Sequence, residues 1–536
     1  MQTVHLRDFS PAYESSDLCA AFRRWFEQKR SDDVTLALDG GEWNLFPETA
    51  LEVQAFPSNN DSGRVKVALL LLGLRNVIVD GGGARLIVRG SPLAGRGRTG
   101  ITDAPILPII VENSEAVTLR GFSLDWKTPG TVQGVCTAVD AVSFDVRLEL
   151  EPDVRCFGDQ LYVVGEGWTW PVRRLLGVDA ETGATLPETG DNFGLGYDVN
   201  WRYEGVEKDR VYRIRGPRPV KLRAGDRVLF WCSNHDTGAR RSPGIFICDS
   251  RRIAIEDVAL HYTWGMGVIA QTSEDLQLRR IAVEPSEGRK FSLACDATHF
   301  VSCRGRVTVE DCRFQNQFDD ALNVHGLYTK VVRTLDERTL RVRTMHPQHQ
   351  GVGGIRAGDR LQFQSCPHLV PCGEAIVRSS TAWNSETTDL VFDDPLPSLR
   401  PGDVVENLSA YPDLTVRGCT IRWNRARGVL LNGRGKIVIE NNTFETAGAA
   451  VLVESSPVWG ESGPLDDLTI SGNTFRRCAH SPMWGRAVID AVPEFRIGAP
   501  AGLPPFHRRL TLRGNRFEQC SAPELIAESF AEIVRD

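Results

Sequence analysis

The chain is 536 residues long, 41% apolar and 24% charged, with a net charge of −7. This balance rules out disorder along the whole chain. With no long basic tract to neutralise a phosphate backbone, it also argues against a nucleic-acid partner and leaves a neutral ligand as the best fit. The length allows three or four domains unless the chain is a repeat, and 50 glycines without a collagen period point to many turns and a β-rich chain.

In chain order, Met1 to Phe9 carries His5, Arg7 and Asp8 and has no apolar stretch of the kind a secretory signal needs. Leu18, Phe22, Trp25 and Phe26 then fall on one helical face, with Ser16 as the expected N-cap. The longest apolar run, Val67 to Leu74, ends at Arg75. It is far short of the roughly 20 residues of a spanning helix, so it reads as a buried strand and no membrane span is expected. Thirteen cysteines are scattered, with no CxxC pair and no zinc-knuckle spacing, and are expected as buried free thiols.

A seven-residue beat recurs along the chain. Its copies are TLRGFSL (118–124), AIEDVAL (254–260), QLRRIAV (277–283), TVEDCRF (308–314), TVRGCTI (415–421), VIENNTF (438–444), TISGNTF (469–475) and TLRGNRF (511–517), with a partial copy at 76–86. Most intervals are 23 to 42 residues, which suits one coil of a right-handed parallel β-helix. Asn442, Asn473 and Asn515 share one turn position, where asparagine tolerates the left-handed backbone and bonds the next coil. The N-terminal helix is then the expected cover for the open end of the solenoid.

Two stretches break the period and share a phrase, RAGDRVLF (223–230) and RAGDRLQF (356–363). They read as two small β-barrels looped out between coils. The expected organisation is all-β. Residues 1–126 form the cap and first coils, 127–233 the first barrel, 234–325 central coils carrying the site, 326–407 the second barrel, and 408–536 the last coils.

Carboxylates dominate the central coils. CDATHF (295–300) and FDDALNVHG (318–326) bring Asp296, His299, Asp319, Asp320, Asn323 and His325 onto neighbouring coils. Strand alternation places Leu322 and Val324 in the core, with Asn323 and His325 outward. Asp319 and Asp320 then belong to the turn before the strand, where both are expected to reach solvent. Aligning GVIAQ, GVLLN and AVLVE with this strand adds Gln271, Asn432 and Glu454 to one outward polar column with His325. Three clustered aspartates can bind a hard cation or divide acid and base duties in splitting a glycosidic bond, because crowding like charges raises at least one pKa. Trp264 is placed to stack on a sugar face, and Lys290 is a candidate counter-charge. Trp168, Trp170 and Trp201 belong to the first barrel.

At CDATHF and FDDALNVHG, and again in HYTWGMGV and DCRFQNQ, the chain resembles glycoside hydrolase family 110, bacterial exo-α-1,3-galactosidases that include enzymes acting on blood group B antigen. The resemblance implies hydrolysis with inversion, no cofactor and no metal. It makes Asp296, Asp319 and Asp320 the acidic site residues, with Asp296 working against one of the other two across coils. His299, Asn323, His325, Trp264, Glu454, Gln271 and Asn432 are the expected galactose-binding set. The expected partner is a glycan ending in α-galactose, and a homo-oligomer is compatible with the sequence. A bacterial protein of this kind would be secreted or periplasmic with its signal removed, and otherwise cytoplasmic. The rival readings are another β-helix enzyme, polygalacturonase-like or a lyase, and a solenoid that binds glycan without cleaving it.

Overall fold

In a computed structural model the repeat is a parallel β-helix. The structure describes residues 1–90, 104–149, 152–165, 168–196, 201–206, 210–216, 221–232, 240 and 242–536; the expected end of the first insert, Ser233, lies outside them. The first residues of the repeat copies stack in a single register column, Thr118, Ala254, Gln277, Thr308, Thr415, Val438, Thr469 and Thr511. One residue further on, Leu119, Ile255, Leu278, Val309, Val416, Ile439 and Ile470 are buried in the core. In the last coils Phe444, Phe475 and Phe517 stack ring on ring at 5.2 and 5.0 Å.

The corner of each coil has a backbone requirement that explains the glycines. Gly121, Asp257, Arg280, Asp311, Gly418, Asn441, Gly472 and Gly514 occupy the same position in the repeat, and all have φ between +53° and +70°. Glycine takes this left-handed conformation freely, and Asn and Asp tolerate it best among the others. Beside the corner runs an asparagine ladder. Asn473 Oδ1 accepts from the Asn442 backbone N and Nδ2 at 2.9 and 3.0 Å. Asn515 Oδ1 accepts from the same two groups of Asn473 at 3.1 Å each. Cys419 N donates to Asn442 Oδ1 at 2.8 Å. Cys312 and Cys419 hold the ladder position in the earlier coils, so these two thiols are not scattered. None of the thirteen cysteines forms a disulfide, and Cys366 and Cys372 are exposed.

The helix spans Leu18–Lys29 and buries Leu18, Phe22 and Trp25. Its N-cap is Asp17, whose carboxylate accepts from Ala20 N at 3.0 Å, and not Ser16. Ser16 lies one residue too early and turns its hydroxyl to Glu14 at 2.5 Å. No helix among the described residues is long and apolar enough to cross a membrane.

The two interruptions differ. In the second, Leu322–Asp336, Thr339–Thr344, Thr387–Phe392, Val370–Ala382, Arg360–Ser365 and Val404–Asn407 pair antiparallel in that order, and the last returns to the first. This closed barrel has its own core around Leu340, Leu361, Phe363 and Phe392. The first is an eight-stranded antiparallel sheet that curls without closing among the described residues. Its edge strands, Asp153–Phe157 and Arg202–Val206, are short and meet through Cys156 Sγ to Tyr203 O at 3.5 Å and Tyr203 N to Asp159 O, just past the first strand, at 3.1 Å. The shared phrase is a turn: Asp226 accepts from Arg223 N, Asp359 from Arg356 N and Asp403 from Arg400 N, at 2.7, 2.8 and 2.8 Å.

Asn473→Ala removes the acceptor for Asn442 and leaves a buried N–H unpaired, at about 1–3 kcal/mol for such a group. The expected outcome is a lower urea midpoint for the C-terminal coils, followed by circular dichroism, with the site's activity unaffected at low denaturant.

Candidate active site

The site is built on the third strand of successive coils, Val268–Gln271, Thr298–Val301, the start of Leu322–Asp336, and Val429–Leu431, which pair parallel and in register. The ladder continues into the turns ahead of them, where Gly267 N donates to Asp296 O and Ala297 N to Asp320 O, both at 2.8 Å. Two residues before each strand stand Met266, Asp296, Asp320 and Arg427. Coil stacking therefore sets Asp296 on Asp320, and Asp320 on Arg427. Asp319 is one residue earlier, and one carboxylate oxygen from each aspartate lies within 4.8 Å of the others.

Three buried acids at that spacing need cations, and the next coil, the first insert and the segment that follows it supply them. Arg427 donates to Asp320 Oδ1 from its backbone N at 3.1 Å and from Nε at 2.8 Å. Arg240 reaches Asp319 Oδ2 at 3.3 Å, and Arg425 and Arg427 stand 4.0 and 3.9 Å from the same carboxylate. Arg425 also pairs with Asp191 of the first insert. Lys290 is not the counter-charge; its ammonium donates to Glu181 O at 2.7 Å.

This placement pushes the three aspartates apart. Burial, aided by the neighbouring Asp319, raises Asp296 to about 8. Burial raises Asp320 to about 8 despite Arg427. Burial also acts on Asp319, but Arg240, Arg425, Arg427 and Arg174 outweigh it and hold Asp319 below the usual carboxylate range. Burial lifts Glu454 to about 7. The trio thus holds neutral acids beside an ionised carboxylate at neutral pH.

The aspartates form part of the wall of a cavity of about 750 Å³. Arg174 and Trp231 of the first insert line it, as do His346, Pro347 and Gln348 of the second, with Trp459, Glu461 and Trp484 from the later coils. Asn323, Trp264 and Glu454 also line it. Trp264 packs against Trp168 at 5.1 Å and Tyr262 at 6.1 Å, both edge-on. Trp168 and Trp201 are buried, the latter against Phe144 and Phe193 of the first insert.

The expected outward column is not continuous. Val301 stands between Gln271 and His325 in the register. Gln271 is buried away from the cavity, where it accepts from Ser58 N at 2.8 Å and donates to Phe56 O at 3.0 Å. Asn432 is fully buried and outside the lining. His299 and His325 sit behind the wall, at 0% and 1% exposure. Asp320, expected to reach solvent, is itself 0% exposed. The reason is common to all of them: inserts and loops cover the outer face, so both parities of the strand are buried.

The arginines and Trp231, Trp459, Trp484 and Glu461 were not legible as site residues. Arg425 and Arg427 had a signal, since NRARG precedes GVLLN in the same place as FDD precedes ALNVH. The others come from segments with no repeat to align.

Residues 339–405 match the family described as GLAA-B beta-barrel domain II, and residues 404–522 match the right handed beta helix region family. Alpha-1,3-galactosidase A of Shewanella woodyi is 29% identical over 497 residues, covering 91% of this chain and 77% of that protein. Alpha-1,3-galactosidase B of Bacteroides thetaiotaomicron is 29% identical over 518 residues, covering 94% and 79%. The chain is a homologue of these α-1,3-galactosidases. Alpha-1,3-galactosidase A of Bacteroides fragilis, 27% identical over 546 residues, extends the match to 99% of the chain, so the homology takes in the inserts as well as the coils.

Arg427→Ala removes the guanidinium that donates to Asp320 Oδ1 and one of the cations that hold Asp319 ionised. Leaving the buried acceptor unsatisfied costs about 1–3 kcal/mol. The expected result is a drop in thermal midpoint at neutral pH, and Arg427→Ala combined with Asp319→Asn should recover part of it.

Proposed function

We propose that this protein is an exo-acting glycoside hydrolase that releases terminal α-1,3-linked galactose from glycans, blood group B antigen or linear α-1,3-galactose chains, using the Asp296, Asp319 and Asp320 cluster. The observation that carries the reading is the state of Asp320. Asp320 stands on the cavity wall, its Oδ2 is buried with no partner among the described residues, and its carboxyl is neutral at pH 7. A protonated carboxyl with an uncommitted oxygen is what protonating a glycosidic oxygen requires. Among the described residues, Asn323 Oδ1 and the indole N–H groups of Trp264 and Trp484, three further wall residues, are likewise buried without a partner. This mixture of acceptors and donors suits a ligand rich in hydroxyls.

Ionised Asp319, beside the acid, offsets positive charge that develops at the anomeric carbon. Inversion places acid and base about 6.5–9.5 Å apart to admit a water. The aspartate oxygens are closer than that, so the water-activating carboxylate in this reading is Glu461, a cavity-wall residue outside the trio that accepts from Asn59 Nδ2 at 3.0 Å. A polyuronate substrate is disfavoured because Arg240, Arg425 and Arg427 are each engaged by an aspartate.

Incubation with branched and linear α-1,3-galactosyl trisaccharides, followed by NMR, should show free galactose appearing first as the β-anomer. Unchanged trisaccharide would overturn the reading, and a first-formed α-anomer would overturn inversion. Asp320→Asn should fold normally and lose at least a hundredfold in kcat/KM, the usual scale for a general acid. The wild-type kcat/KM should fall as pH rises through about 8, where Asp320 loses its proton.

A further inference from the structure

Behind Asp296 lies a buried chain of hydrogen bonds whose protons can be counted. His325 Nδ1 faces the Gly326 carbonyl at 2.7 Å. A carbonyl only accepts, so His325 Nδ1 carries a hydrogen. His325 Nε2 faces His299 Nε2 at 3.0 Å, and His299 Nδ1 faces Asp296 Oδ2 at 2.8 Å. Each contact needs one hydrogen. A neutral His325 is already protonated at Nδ1, so its Nε2 accepts and His299 Nε2 donates. A neutral His299 then has a bare Nδ1, and the hydrogen in the last contact must come from Asp296.

We propose that His299 and His325 are positioning residues that keep Asp296 in its neutral form, with the acid proton on Oδ2 pointed at His299 and away from the cavity. Asp296 then offers the ligand an accepting oxygen without a second negative charge beside Asp319. This inference rests on the galactosidase reading only for its consequence in catalysis.

The competing arrangement puts a charge on one of the histidines, with Asp296 ionised. It would place two carboxylates close together and an imidazolium in a site without solvent. The groups facing the chain are Asp319, Asp320, Arg240, Arg427 and Glu461. Glu461 stands 3.8 Å from His325 Nε2 and favours the charged form. Burial holds His299 well below the ordinary histidine range, and Arg240 acts in the same direction. Beyond Glu461, Asn59 Oδ1 accepts from His349 Nε2 at 2.8 Å, so that nitrogen offers the chain no acceptor.

The test reads the tautomers directly. In the full-length protein labelled with ¹⁵N-histidine, at neutral pH, His299 should show protonated Nε2 and bare Nδ1, and His325 the reverse. Protonated Nδ1 on His299, as tautomer or imidazolium, would overturn the proposal. His325→Phe removes the acceptor for His299 Nε2; His299 should switch to the Nδ1–H form and donate to an ionised Asp296, so that the fall in kcat/KM that the wild type shows near pH 8, where both Asp296 and Asp320 lose their protons, begins about one unit lower. His325→Gln keeps an acceptor and should return that fall toward the wild-type position. Identical profiles in the Phe and Gln variants would overturn the positioning role. If no variant and no wild-type sample releases galactose, the functional reading falls while the tautomer result stands or falls by itself.

Discussion

The structure depends on one constraint, the in-register stacking of coils. A parallel ladder leaves each residue directly above its counterpart one turn earlier, so chemistry is organised in columns. The column through Thr118 and Thr511 is structural, and the column two residues before the third strand is the site. Asp296, Asp320 and Arg427 are adjacent in space because Thr298, Leu322 and Val429 are adjacent in the ladder. Ionised together, stacked carboxylates would push the coils apart. Neutral Asp296 and Asp320, with the guanidinium that the next coil supplies at the same height, make the arrangement tolerable.

The second barrel shows how strict the register is. It enters the chain between Leu322 and Val429, yet those two residues pair as directly as Thr298 and Leu322 do. The chain leaves the solenoid, closes a barrel with a core of its own, and returns to the next rung. Surface insertions between coils cost little because the ends are already close in the folded coil. In return the barrel delivers His346, Pro347 and Gln348 to the cavity rim, facing Arg174 and Trp231 of the other insert. The solenoid thus provides the fixed acidic floor and the inserts provide walls that exclude water.

Water exclusion ties structure to function. A carboxylate on an open solenoid face would titrate normally. Under two inserts, burial drives Asp296 and Asp320 to about 8, and only the arginine cluster keeps Asp319 ionised. The same burial makes every wall atom without a partner costly, and among the described residues Asp320, Asn323, Trp264 and Trp484 have unmet hydrogen bonds that a hydroxyl-rich ligand can satisfy.

Periodic features were legible in the sequence because each repeat reports the same local requirement. The left-handed corner shows as Gly, Asn or Asp in every coil but that of Arg280, the ladder as recurring asparagine, the core as alternating apolar residues, and the helix as a face of Leu18, Phe22 and Trp25. The aspartates stood out because they replace ordinary turn residues in a known register. Which strand parity faces solvent was not legible. Outward residues such as His325 and Gln271 became buried once other segments packed over them, and Asp17 rather than Ser16 took the cap. The wall residues from Arg174 to Trp484 come from sequence positions hundreds of residues apart, and no local pattern encodes that meeting. Sequence by itself determined the coil, its register and its column of acids, because these follow from short-range periodicity. Only the tertiary structure decided the charge state of each acid, because that depends on which distant arginines and inserts close over it.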